Sequence, residues 1–135
     1  MIPALLLLNS CSKQSEPDPR QQYVASWNLT KINGDKPSSK EVIKITSSTS
    51  SAKTMTIIDL ISSDLEATIN GTGFDIEDFT IKNATSQDGS KVDVTFSEGV
   101  GKLKNDQLVM TWSVIFKYTN GKKESEDWEE IYTKQ

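Results

Sequence analysis

The sequence predicts an all-β chain folded as an antiparallel up-and-down barrel of eight to nine strands, and three observations predict it. Leu108, Met110, Trp112, Val114, Phe116 and Tyr118 all fall on even positions. Because a strand sends successive side chains to opposite faces, these residues line one side of one long strand. Turn pairs recur at Asn33-Gly34, Asn70-Gly71, Asp88-Gly89, Asn105-Asp106 and Asn120-Gly121, where the backbone must take the positive φ of tight hairpins. No segment carries the 3.6-residue period of a convincing amphipathic helix. Successive strands joined by short hairpins favour a barrel over a sandwich.

The strands follow in order. Trp27 and Leu29 open the first, which runs to Ile32, and residues 41–46 give the second, with Ile43 and Ile45 in phase. Residues 53–61 are the third; Met55 with Ile57, and Ile58 with Leu60, leave two choices for its inward face. Leu65, Ala67 and Ile69 make the fourth. Phe74 and Ile76 make the fifth, and a phase shift near Glu77-Asp78 carries the apolar face on to Phe79 and Ile81, as a bulge would. Val92, Val94 and Phe96 form the sixth, residues 99–103 a short seventh, and the hairpin from Leu108 to Tyr132 the last two.

Turn chemistry constrains the registers. A type I′ turn at Asn120-Gly121 would place Trp112 opposite Glu129 and offer a Lys117–Glu124 pair. A type I turn at Thr119-Asn120 with Gly121 as the bulge residue places Trp112 opposite Trp128 and Leu108 opposite Tyr132. The second register sets like against like, although it turns Glu124, Glu126 and Glu130 toward the Trp128 face, and it is favoured on pattern. A two-residue turn at Asp88-Gly89 sets Ile81 opposite Phe96. One at Asn105-Asp106 sets Leu103 opposite Leu108, with Gly101 and Gly99 facing Met110 and Trp112, where a crowded, coiled sheet would need glycine.

The chain begins with Ile2–Leu8, a short apolar run ending in Leu8-Asn9-Ser10-Cys11. That tetrad resembles the lipobox of bacterial lipoproteins, in which the cysteine takes a diacylglycerol and the chain is cut just before it. The resemblance implies a truncated signal peptide over residues 1–10, with the natural start upstream of Met1, and lipidation at Cys11. Cys11 is the only cysteine, and an exported chain would need to use up such a thiol. Seven apolar residues are too few to span a bilayer, so the expected attachment to a membrane is by lipid anchor. Residues 11–22 are rich in proline and charge and read as a tether, leaving residues 23–135 as one domain.

Composition narrows the function. A net charge of −4 without a basic cluster argues against a nucleic-acid partner. The absence of histidine removes an imidazole base and histidine-ligated metal, so neither enzyme activity nor a cofactor or metal is expected. Glu126 with Glu130, or Asp127 with Glu129, could pair carboxylates for hydrolysis, but an acidic strand face that deters edge pairing is the plainer reading. Asp75, Glu77 and Asp78 lack the spacing of a calcium loop.

Tyr23-Val24-Ala25-Ser26-Trp27-Asn28-Leu29, Gly99-Val100-Gly101-Lys102-Leu103 and Trp128-Glu129-Glu130-Ile131-Tyr132-Thr133 together resemble the small lipocalin-like lipoproteins of the Bacteroidetes. The resemblance implies a lipocalin-like barrel on the bacterial outer membrane, at its periplasmic or surface face. Trp27, Trp112, Trp128 and Tyr132 are the candidate ligand-binding residues, since aromatic walls line cavities for apolar or sugar-like molecules. The alternative is that they fill the barrel, because eight strands enclose little more than their own side chains. A filled barrel would leave outward residues such as Val109 and Ile131 for a protein partner.

Overall fold

The computed structural model describes residues 17–61 and 63–135. Its strands are β1 (Ala25–Ile32), β2 (Val42–Ser47), β3 (Thr54–Ile58), β4 (Leu65–Asn70), β5 (Gly73–Ile76), β6 (Phe79–Thr85), β7 (Lys91–Lys104), β8 (Gln107–Tyr118) and β9 (Lys123–Lys134). All pair antiparallel, in the order β5-β4-β3-β2-β1-β9-β8-β7-β6, and β5 also pairs with β7. That last pairing closes a barrel of eight strands and leaves β6 outside the ring, joined to β7 alone. No helix occurs among the described residues.

The phase shift at Glu77-Asp78, expected as a bulge within one fifth strand, is instead a break between two strands, and it divides the barrel. β5 lies along the lower half of β7, from Gly73 opposite Lys102 to Ile76 opposite Gly99, and β6 lies along its upper half, with Phe79 opposite Phe96. The sixth and seventh strands read from the sequence are one strand, β7, interrupted by a bulge between Ser97 and Val100 with Glu98 at φ 52°. A bulge adds a residue without ending the ladder, so it looks in sequence like a gap.

The β8–β9 hairpin takes the bulged register. Trp112 faces Trp128, Leu108 faces Tyr132, and the Gly121 amide donates to the Tyr118 carbonyl at 3.0 Å. Asn105 and Asp106 have φ of 52° and 64°, as a type I′ turn requires, and Leu103 pairs with Leu108. The turn at Asp88-Gly89 differs from expectation. Ser86 and Ser90 form its base, and a second irregularity between Ile81 and Ala84 puts Phe79, not Ile81, opposite Phe96. Asp88 accepts from both serine hydroxyls and the Ser90 amide, which widens the turn beyond two residues and holds its own carboxyl at about 2.

The lower interior is filled. Ile45, Met55, Ile57, Phe74, Leu108 and Met110 have no exposed surface, which settles Met55 and Ile57 as the inward pair of β3. Gly101 exists for this packing: a Cβ there would sit 2.1 Å from the Phe74 ring, and one at Gly99 would sit 2.4 Å from Trp112. The floor is closed by residues preceding β1. Tyr23 is buried, packs edge-on against Phe74 at 4.9 Å, and donates its hydroxyl to the Thr72 carbonyl at 3.0 Å. Arg20 donates to the carbonyls of Ser48, Ser51 and Thr54 and pairs with Asp18 at 2.7 Å. Residues 18–22, read from composition as the end of the tether, therefore sit against the β2–β3 turn. The rest of that reading, Cys11 and the signal peptide included, lies outside the described residues, save for Pro17.

Candidate functional site

Above Gly99 and Trp112 the barrel changes character. The upper parts of β6, β7, β8 and β9 run on past the closed ring, and their inward residues follow the pairings row by row. Phe79, Phe96, Val114 and Glu126 share one row; Ile81, Val94, Phe116 and Glu124 share the next. β6 has no strand on its far side. The wall there is made by Leu60 and Ile61 from the β3–β4 connection, which pack against the core as half-buried residues.

Aromatic rings line this mouth. Phe79 and Phe96 stack at 4.7 Å, and both meet Trp112 edge-on, at 5.4 and 5.6 Å. Phe96 also meets Trp128 edge-on at 5.3 Å, so the two facing tryptophans are joined through Phe96. Edge and offset-stacked contacts at such distances are the favoured geometries of quadrupolar rings. A cavity of about 90 Å³ remains among them, bounded by these four rings, by Ile81 and by Glu130. Beyond it, toward Val94, Phe116, Tyr118, Glu124 and Glu126, lies an open trough of about 710 Å³.

The glutamates that the register turned inward have partners. Trp112 Nε1 donates to Glu130 Oε1 at 2.9 Å, and Trp128 Nε1 donates to Glu126 Oε1. Each indole is thereby fixed in orientation by a carboxylate two positions from Trp128 on the same strand face. Burial pushes the Glu130 carboxyl above its usual range, opposed by hydrogen bonds from Trp112 and Tyr132 and reinforced by the nearby Glu41. Burial likewise pushes the Tyr132 hydroxyl far up, with Glu130 adding to it.

Of the four candidate residues, Trp112 and Trp128 come together at the mouth. Trp27 does not join them. It lies at the floor, opposite Lys134, with its indole donating to the Tyr23 carbonyl at 2.9 Å and the Lys134 ammonium 5.6 Å from its ring. Tyr132 lies in the core next to Leu29 and Leu108, 1% exposed. In the sequence Phe79 and Phe96 stand out only as strand residues. Their role at the mouth depends on where β5 gives way to β6, which no local pattern dates to a particular side of the barrel. Glu126 and Glu130 were legible as inward-facing acids, but as a cost of the register and not as acceptors for the indoles.

No group of three or more metal-ligating side chains occurs among the described residues. No family model matches the sequence, and no curated protein matches it. A solved structure of a bradavidin2–biotin complex aligns with a TM-score of 0.46 at 16% identity, over 89% of this chain and 99% of that one. At that distance the likeness carries no functional inference.

Proposed function

We propose that this chain is a non-enzymatic binding barrel, tethered to the bacterial outer membrane by lipid on Cys11, that receives a small ligand at its flared mouth. The observation that carries the binding reading is the contrast between a filled lower interior and an aromatic mouth with room in it. The trough of about 710 Å³ falls within the range of about 300–1,000 Å³ usual for small-molecule sites, and it adjoins the rings through Phe116, 6.4 Å from the Trp128 ring, and Glu126, which accepts from the Trp128 indole. A ligand would rest on Trp128, Trp112, Phe96 and Phe79 and would not enter the closed ring below.

A second reading rests on a different surface. Val100, Leu103 and Val109 line an outward depression of about 520 Å³ flanked by Lys102 and Lys104, and Ile131 pairs with Val109. A protein partner would dock there.

Titrating the domain with fatty acids, haem, short oligosaccharides and small amines while following tryptophan fluorescence tests the binding reading. A shift at micromolar concentration, equivalent to about −8 kcal/mol, supports it. Silence across the panel transfers the function to the outward surface. The anchor is tested separately: intact mass from the native host should show diacylation and loss of residues 1–10, and Cys11→Ser should leave the membrane fraction. Unchanged mass with retained membrane association would refute the anchor.

A further inference from the structure

We infer that the mouth selects a cation, an ammonium head of about the size of trimethylammonium, and that it rejects fatty acids and other anions. The inference rests on the binding reading above and adds the ligand's chemical class. Its ground is the inventory of groups around the inner cavity. Four aromatic rings, whose π-systems are electron-rich, bound it, and the side-chain polar group among the lining residues other than the indole N–H groups is the Glu130 carboxylate. The two indole N–H groups, which could have donated to a sugar hydroxyl or a carboxylate, are already given to Glu130 and Glu126. What remains for a ligand is acceptors and ring faces.

That set fits a donor-only or fully alkylated cation, which ring faces and carboxylates both attract. Among the described residues, no lysine or arginine lines the cavity or the trough above it, whereas Glu124, Glu126 and Asp88 line the trough. Glu124 is partly matched by Lys122 at 3.0 Å, and Asp88 is occupied by its serines. Glu126 and Glu130 accept from the indoles but have no lysine or arginine partner among the described residues; they are therefore the acids left to meet a cation, and they flank Trp128. The cavity is small, about 90 Å³, and suits a compact head group. The trough takes whatever the head is attached to. Its acids disfavour a phosphate there, so a free amine is preferred to a phospholipid head group.

Isothermal titration of the domain with choline, and with its uncharged isostere 3,3-dimethylbutan-1-ol, separates charge from shape. Choline should bind at least about tenfold more tightly, the ratio that ~1.4 kcal/mol represents. Phosphocholine should bind more weakly than choline, and decanoate should give no heat. Glu130→Gln keeps an oxygen for the Trp112 indole while removing the charge, and should weaken choline by about tenfold; Glu126→Gln should act in the same direction. Equal binding of choline and the isostere, or binding of choline that both glutamine variants leave unchanged, overturns the cation inference and leaves a binding mouth of another selectivity. Absence of binding by every probe here, together with silence of the broader fluorescence panel, overturns both.

Discussion

Below Gly99 and Trp112 every strand has a neighbour on each side, whereas above them β6 is paired on one side only. The same three long strands, β7 to β9, build both halves, so the difference lies in what closes the ring. In the lower half the pairing of β5 with both β4 and β7 closes the ring, and the inward residues are apolar except Glu130, which lies opposite Met110 one row below Trp112. In the upper half the inward face of β9 reads Glu124 and Glu126, down to Trp128 at the boundary row. Carboxylates are costly to bury without partners, so this run is compatible only with a region that stays open or supplies donors. The acid pattern on β9 thus marks the level at which the barrel stops being a core and becomes a mouth.

The sharpest way to break this comparison is to cut equivalent rings from each half. Phe74→Ala removes a fully buried ring and should cost about 3–5 kcal/mol in denaturant unfolding. Phe116→Ala, on a half-buried ring facing the trough, should cost about 1 kcal/mol, near the centre of the distribution for point substitutions. Equal costs would mean that the two halves are one core. Next in size, Gly101→Ala pushes a methyl into the Phe74 ring and should cost about 1–3 kcal/mol, as overpacking does. Gly99→Ala meets Trp112 in the same way and tests whether the boundary level is equally rigid.

Two substitutions at Glu130 sharpen the comparison from the mouth side. Glu130→Leu leaves the Trp112 indole, on a residue 3% exposed, without its acceptor, and should cost about 1–3 kcal/mol. Glu130→Gln keeps an acceptor and relieves the buried charge, so it should raise Tm slightly at neutral pH. The pH dependence has a definite sign. The folded state binds the Glu130 proton more tightly than the unfolded chain does, so the contribution is fully present below the unfolded pKa. It is lost as pH rises through the folded one. Thermal melts from pH 4 to 8 should therefore show wild type losing more stability with rising pH than Glu130→Gln. Parallel curves would place Glu130 in an environment no different from solvent.

Much of this architecture was legible because β-structure writes itself in period two. The even-numbered run of β8 and the Thr119-Asn120-Gly121 turn favoured the Trp112–Trp128 pairing over its alternative, whereas the phase shift at Glu77-Asp78 reads as a bulge within one strand and is in fact the break between β5 and β6. What could not be read was long-range. Nothing local to Phe79 says that its strand loses β4 as a neighbour, and nothing local to Trp27 says that it faces the floor. The single strand β7 looked like two because its bulge falls at Glu98-Gly99, where a glycine also suggests a stop. Residues 18–22 looked solvated because Arg20 and Asp18 are polar, yet backbone carbonyls of a distant turn gave Arg20 its partners.

The central claim is that ligand is held at the mouth and not in the filled ring, and the three indole N–H resonances report on it separately. In a ¹H–¹⁵N correlation spectrum of the domain titrated with choline, the Trp112 and Trp128 indole signals should move together while that of Trp27, at the floor, stays in place. Movement of Trp27 with the mouth signals unmoved would contradict the account.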